Sequence, residues 1–250
     1  MKHHRHRVRF GHRVVDTREV ARARQALLQW WRNAGRRLPW RDPRTSNYKK
    51  IVSEVLLQRT RAETVAGYWD KFFGRYPTWR SLAGSAVADI EKMLRPIGLS
   101  RQRAPRLHAL SCALVKRGGR FPSNPKAIEE LPGVGQYITN AIRLFCHGTA
   151  LPLVDVNMAR VVERVFGSRR LADIRYDEYL QSLATELVRN RRAEAVNWAI
   201  LDLAALVCKP RNPRCGSCPL LETCRYCKTA SRSAGLASGD PATTTRGGGK

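Results

Sequence analysis

Four cysteines near the end of the chain limit what it can fold into more than any other feature. Cys208, Cys215, Cys218 and Cys224 stand in the order C-x6-C-x2-C-x5-C. The prolines and turn residues of "KPRNPRCGSCPLLETC" let so short a stretch wrap four thiolates round one centre. Zinc more often takes two separated C-x2-C knuckles, whereas a compact, sequential set of four suits a 4Fe–4S cluster. Five of the seven cysteines fall between Cys208 and Cys227, and the other two, Cys112 and Cys146, lie in apolar, helix-like segments. That clustering argues for a metal centre and against a disulfide framework. Cys227 falls just outside the pattern and reads as a spare thiol.

The rest of the chain reads as helices. "DTREVARARQALLQWWRNAG" has a cap at Asp16 or Thr17 and a stop at Gly35. "NYKKIVSEVLLQRT" places Ile51, Val52, Val55 and Leu56 at helical spacing, and similar patterns recur as far as "AEAVNWAILDLAALVC". No period-2 strand and no internal repeat stands out. The predicted fold is all-α, with roughly ten short helices. Residues 1–15, with four histidines, read as a flexible basic arm, and the Ser/Ala/Thr/Gly-rich residues 229–250 as a disordered tail. No apolar run is long enough to span a bilayer, and the basic N-terminus lacks the apolar stretch of a secretory signal. A soluble, cytoplasmic protein is expected.

Charge then points to a partner. The chain holds 46 Lys and Arg against 20 Asp and Glu, a formal +26, of which +19 remains once residues 1–13 and 229–250 are set aside. A folded body so basic attracts polyanions, and a nucleic-acid backbone releases counterions when it binds. An anionic membrane surface is the other reading. "LPGVGQYITNAI", Leu131 to Ile142, gives the charge a place to act. Pro132 stops one helix. Gly133 and Gly135 allow a tight turn and a close approach around Val134. The next helix then opens with unsatisfied N–H groups, an anion site that holds a phosphate without reading bases. An ordinary tight helix connection uses the same residues.

The corner and the cysteine spacing together resemble the endonuclease III / MutY superfamily of DNA glycosylases, over roughly residues 16–226. The third shared feature is a Gly/Pro-containing loop ending in an acid, here "HGTALPLVDVNMARV" with Asp155. The resemblance implies a two-lobed helix–hairpin–helix fold over residues 16–228. The hairpin lobe would span about 44–154, and the cluster lobe 16–43 plus 155–228. It also implies a 4Fe–4S cluster on the four cysteines, binding of double-stranded DNA with a mismatched or damaged base, and a monomer. Asp155 matches the catalytic carboxylate that would stabilise positive charge on the deoxyribose, although it could equally cap the helix that follows. Asn157 matches a pocket residue beside it. Tyr137 stands where bifunctional members carry a Schiff-base lysine, so abasic-site lyase activity is not expected. Glu54 matches the acid that protonates a departing adenine. Gln58 matches the residue that fills the gap left by the extruded base, with Arg59 departing from the MutY pattern. Leu99 matches an apolar wedge between bases. Extrusion is required because the glycosidic bond is inaccessible in the stack.

The choice of base stays open between two branches. "EVLLQRT", "IGLSRQRA" and "VDVN", in place of the usual "VDGN", resemble the branch that removes thymine or uracil opposite guanine. So does the lack of room after Cys224 for the domain with which adenine glycosylases read 8-oxoguanine. Removal of adenine opposite 8-oxoguanine or guanine is the alternative. A DNA-binding module without catalysis is a third reading, against which the intact Asp155 and Glu54 count.

Overall fold

The computed structural model describes residues 7–229. Eleven α-helices carry the described chain: α1 (Thr17–Ala34), α2 (Asn47–Leu57), α3 (Ala62–Arg75), α4 (Trp79–Ala83), α5 (Val87–Leu94), α6 (Ser100–Lys116), α7 (Pro125–Glu129), α8 (Gln136–His147), α9 (Val156–Phe166), α10 (Glu178–Val188) and α11 (Ala193–Leu206). No helix among the described residues is long and apolar enough to cross a membrane.

The helices form where the sequence puts both a stripe and a cap. In α1 the Asp16 carboxylate accepts from the Arg18 N–H, and Val20, Ala23 and Leu27 are buried on one face. Ser46 caps α2 and Asn124 caps α7 in the same way. Pro105 lies inside α6, where it has no N–H to give the Arg101 carbonyl one turn back.

The expectation of a strand-free chain with a flexible arm at 1–15 is corrected at the N-terminus. Arg7–Phe10 (β1) and Arg13–Asp16 (β2) pair antiparallel, with Val8 opposite Val15 and Phe10 opposite Arg13. The two-residue turn Gly11–His12 has its glycine at φ +50, as a tight hairpin turn that needs a positive φ requires. Phe10 and Val15 are buried, and the His12 ring lies 5.0 Å from that of Tyr179 on α10. The alternation is real but only four residues long per strand, and arginines on the outward face conceal it. Residues 1–6 and 230–250 lie outside the described residues, and with them most of the tail expected at 229–250.

The apolar residues divide into two cores. One gathers Leu38 to Leu153, together with Ala193 and Trp198. The other joins Phe10 to Leu27 with Met158 to Cys227. Trp31 of α1 packs against both. The seam between them is pinned by a buried carboxylate. Asp202 on α11 is fully buried and takes Arg41 Nη1 at 2.6 Å and Nη2 at 2.9 Å, Arg36 Nε at 2.6 Å and the Trp31 indole N–H at 3.0 Å. Burial acts to raise its pKa, but Arg41 and Arg36 outweigh burial and hold Asp202 below the usual carboxylate range.

Candidate active site

Three chain segments, far apart in sequence, bring Glu54, Tyr137 and Asp155 together. Glu54 lies in α2 and is 3% exposed. The Tyr137 phenol, in the first turn of α8, donates to Glu54 Oε2 at 2.9 Å. Asp155 is near enough for its charge to act on both. Burial raises Glu54 to about 7; the Tyr137 hydrogen bond and the Arg41 charge pull it back, and Asp155 pushes it further up. Glu54 therefore changes charge near neutral pH. Burial, then the charges of Glu54 and Asp155, hold Tyr137 well above the ordinary phenol value, so it is a fixed O–H donor. The pair can give or take one proton in a place that excludes water.

Asp155 is the N-cap of α9. Its Oδ1 accepts from the N–H of Asn157 at 2.9 Å and of Met158 at 2.8 Å, and its Oδ2 accepts from the Asn157 amide at 2.6 Å. Capping and an outward role coexist: three donors fix the carboxylate's orientation. Val156, the next residue, is 68% exposed and projects beside it.

The corner forms as the sequence implies. Gly133 takes φ +72, and a Cβ there would meet Arg106 Cβ at 3.2 Å. Gly135 is the N-cap of α8, no side chain caps that helix, and a Cβ on Gly135 would meet open space. Val134 is half-buried between them. An uncapped first turn next to open space is a geometry that accepts a phosphate.

Gln58 and Arg59 close α2, and Leu99 opens α6; all three are exposed. Arg59 has φ 57 and Leu99 φ 52, two of the three non-glycine residues in the left-handed region among the described residues. Each costs on the order of 1–2 kcal/mol, and such strain gathers at functional sites.

The cysteines also converge. Cys208, Cys215, Cys218, Cys224 and Cys227 line one void together with Val161, Arg164 and Leu203. No three His, Cys, Asp or Glu side chains among the described residues are placed to hold a single metal ion. Burial, opposed by a Leu220 backbone hydrogen bond and reinforced by Cys208, Cys224 and Cys215, pushes the Cys218 thiol up to about 11. Thiolates can gather here only round positive charge, which an iron–sulfur cluster supplies. Cys227, expected as a spare thiol outside the pattern, is buried beside the other four.

Sequence reasoning missed the struts that join these parts. Arg160 donates Nη1 to Asn157 Oδ1 at 3.2 Å and Nε to the Cys208 carbonyl at 2.9 Å. One turn on, Arg164 Nη1 reaches the Lys209 carbonyl at 2.7 Å and Cys208 Sγ at 3.4 Å. One helix thus links Asp155 to the cysteine loop. The four-residue step from Arg160 to Arg164 was the signal that could have found them.

Comparison with known proteins agrees with this architecture. Residues 52–189 match the profile of the HhH-GPD superfamily of base excision DNA repair proteins. Residues 208–224 match the iron-sulfur binding domain of endonuclease III. The chain is 35% identical to a thymine/uracil-DNA glycosylase of Methanothermobacter thermautotrophicus, over 82% of this chain and 93% of that protein. It is 36% identical to an adenine DNA glycosylase of Mycolicibacterium smegmatis, over 85% of this chain and 70% of that protein. A thermostable thymine-DNA glycosylase superposes with a TM-score of 0.75 at 33% identity, covering 85% of this chain and 98% of that one.

Proposed function

Because this chain belongs to the HhH-GPD superfamily of base excision DNA repair proteins, we propose that it is a monofunctional DNA glycosylase, acting as a monomer, that hydrolyses the N-glycosidic bond of a thymine or uracil mispaired with guanine. The observation that carries the reading is the Glu54–Tyr137 hydrogen bond beside Asp155. It combines a proton-active acid with a fixed carboxylate and contains no amine. The base is supported by the thymine/uracil relatives, which match along nearly their whole length.

In this reading the two cores are two lobes, and DNA lies across the groove where Glu54, Tyr137 and Asp155 meet. The uncapped start of α8 takes a backbone phosphate. Gln58 and Leu99 enter the space that the extruded base vacates. As the bond to the base lengthens, positive charge builds on the deoxyribose, and Asp155, oriented by its three donors, stabilises it and orients water on the opposite face. Glu54, half protonated near neutral pH, hydrogen-bonds the leaving base or the incoming water. Tyr137 holds Glu54 in place and, as a phenol, cannot form an imine with the sugar. Asn157 fixes the Asp155 rotamer. Cys208, Cys215, Cys218 and Cys224 would hold a 4Fe–4S cluster, which when bound ties the loop around "KPRNPR" into a rigid basic surface.

The test is base release from labelled duplexes carrying G:T, G:U or A opposite 8-oxoguanine, with hot alkali to reveal abasic sites. Cleavage in the thymine or uracil strand, and only after alkali, is expected. Cleavage confined to the adenine strand would transfer the chain to the adenine branch. Breaks without alkali would overturn the monofunctional assignment.

A further inference from the structure

Arg103 sits in the first turn of α6 and is 3% exposed. Its guanidinium reaches two loops at once. Nη1 donates to the carbonyls of Gly98 at 2.8 Å and Ile97 at 3.2 Å, on the Leu99 side. Nη2 donates to the Gln58 carbonyl and to the Thr60 hydroxyl at 2.7 Å, on the side of Gln58 and Arg59. The Thr60 hydroxyl completes the bridge by donating to the Ile97 carbonyl at 3.2 Å. Two of the three strained non-glycine residues, Arg59 and Leu99, are the two positions flanked by these bonds.

A buried arginine needs a reason. Desolvation lowers its pKa, and among the described residues no carboxylate pairs with it. Its Nε is buried without a partner. Packing would be served better by an apolar side chain. Only a planar fork with several donors can hold carbonyls on two separate loops in one plane. The left-handed turns at Arg59 and Leu99 would relax if the carbonyls beside them were released.

We propose that Arg103 is a positioning residue that locks the Gln58 and Leu99 loops into one rigid wedge, so that both enter the duplex together when the base leaves the stack. The proposal rests on the glycosylase reading above. A wedge fixed before binding spares the protein the cost of ordering two loops at the moment of extrusion. Arg103 touches neither the base nor the sugar. Its contribution lies in opening the stack, which a base that is already unpaired does not require.

The experiment compares single-turnover uracil release from a G:U duplex with release from the same uracil in an unpaired bulge, for wild type, Arg103→Lys and Arg103→Met. Arg103→Met should lower the rate on the G:U duplex about tenfold or more and the rate on the bulge by less than about threefold. Arg103→Lys, which keeps the charge but reaches fewer carbonyls, should fall between. Equal losses on both substrates would reduce Arg103 to a fold-stabilising residue, and no loss on either would dismiss it. Thr60→Val removes only the hydroxyl bridge. It should give the same paired-over-unpaired pattern at smaller size even if Arg103→Met does not fold, and absence of that pattern in Thr60→Val refutes the proposal. A wild-type protein that releases no uracil from either substrate refutes the thymine/uracil reading on which the proposal rests, and the proposal with it.

Discussion

Glu54→Gln should make the protein more stable, and more so as the pH rises. Glu54 is 3% exposed, and its value is raised from 4.5 to about 7. Below about pH 4.5 the carboxyl is neutral in both the folded and the unfolded chain and contributes no pH dependence. From there to about pH 7 the unfolded chain releases its proton and the folded one keeps it, so stability falls as pH rises. Above 7 the loss is complete. The shift corresponds to about 3 kcal/mol. Glutamine is never charged, so it escapes this loss, and its carbonyl can still accept from the Tyr137 hydroxyl. Urea denaturation at pH 5 and pH 8 should therefore show the variant ahead by under about 1 kcal/mol at the lower pH and about 3 kcal/mol at the higher. In a chain of this size that is about 6–12 °C in Tm. The same variant should lose the pH-dependent limb of base release near 7. A stability difference that does not change between pH 5 and pH 8 would show that Glu54 is ionised at little cost, and that its environment is wetter than the packing implies.

The other expectations follow from the same geometry. Asp155→Asn should lower base release by about 10²–10⁴ while mismatch DNA still binds in a gel-shift assay; because Asn caps as well as Asp, unfolding free energy should stay within about 0.5 kcal/mol. Borohydride should trap no covalent complex between wild type and DNA, and Tyr137→Lys should create one, since only the amine can form an imine with the sugar. Asp202→Asn leaves Arg36 and Arg41 buried without their carboxylate and should cost about 3–5 kcal/mol in denaturation. With Asp202 held low, its contribution in the wild type is present above the ordinary carboxylate range and is lost as the pH falls below it. Purified protein should be brown with visible iron–sulfur absorbance, and removing the iron should weaken DNA binding by loosening the loop between Cys208 and Cys215.

What was legible in the sequence was whatever is written locally. A proline–glycine corner, an acid before a helix and four thiols in seventeen residues each declare their geometry within a few positions. Glu54, Tyr137 and Asp155 could be named, but only the resemblance suggested that they meet, since the Tyr137–Glu54 contact joins residues 83 apart. The hairpin at Arg7–Asp16 was hidden because each strand is only four residues long and Arg7, Arg9 and Arg13 make the stretch read as a solvated arm. Arg103 and Asp202 were invisible for a different reason. Each is one charged letter in a helix, and what sets it apart is a set of partners up to 171 residues away.

The second core has a consequence for how the chain is made. Its parts lie at both ends: the hairpin and α1 are synthesised first, while α9, α10, α11 and the cysteine segment come last. The other core lies almost wholly between them and can consolidate on the ribosome as it emerges. Through that interval α1 has only the hairpin beside it, because the helices it packs against, α10 and α11, have yet to be translated. Helix α1, made before the other core, is thus among the last to find its place, and the cysteines arrive together with the surface that shelters it. A nascent chain that has emerged from the ribosome only as far as Leu153 should hold a nearly finished middle and an N-terminal segment still open to chaperones and proteases.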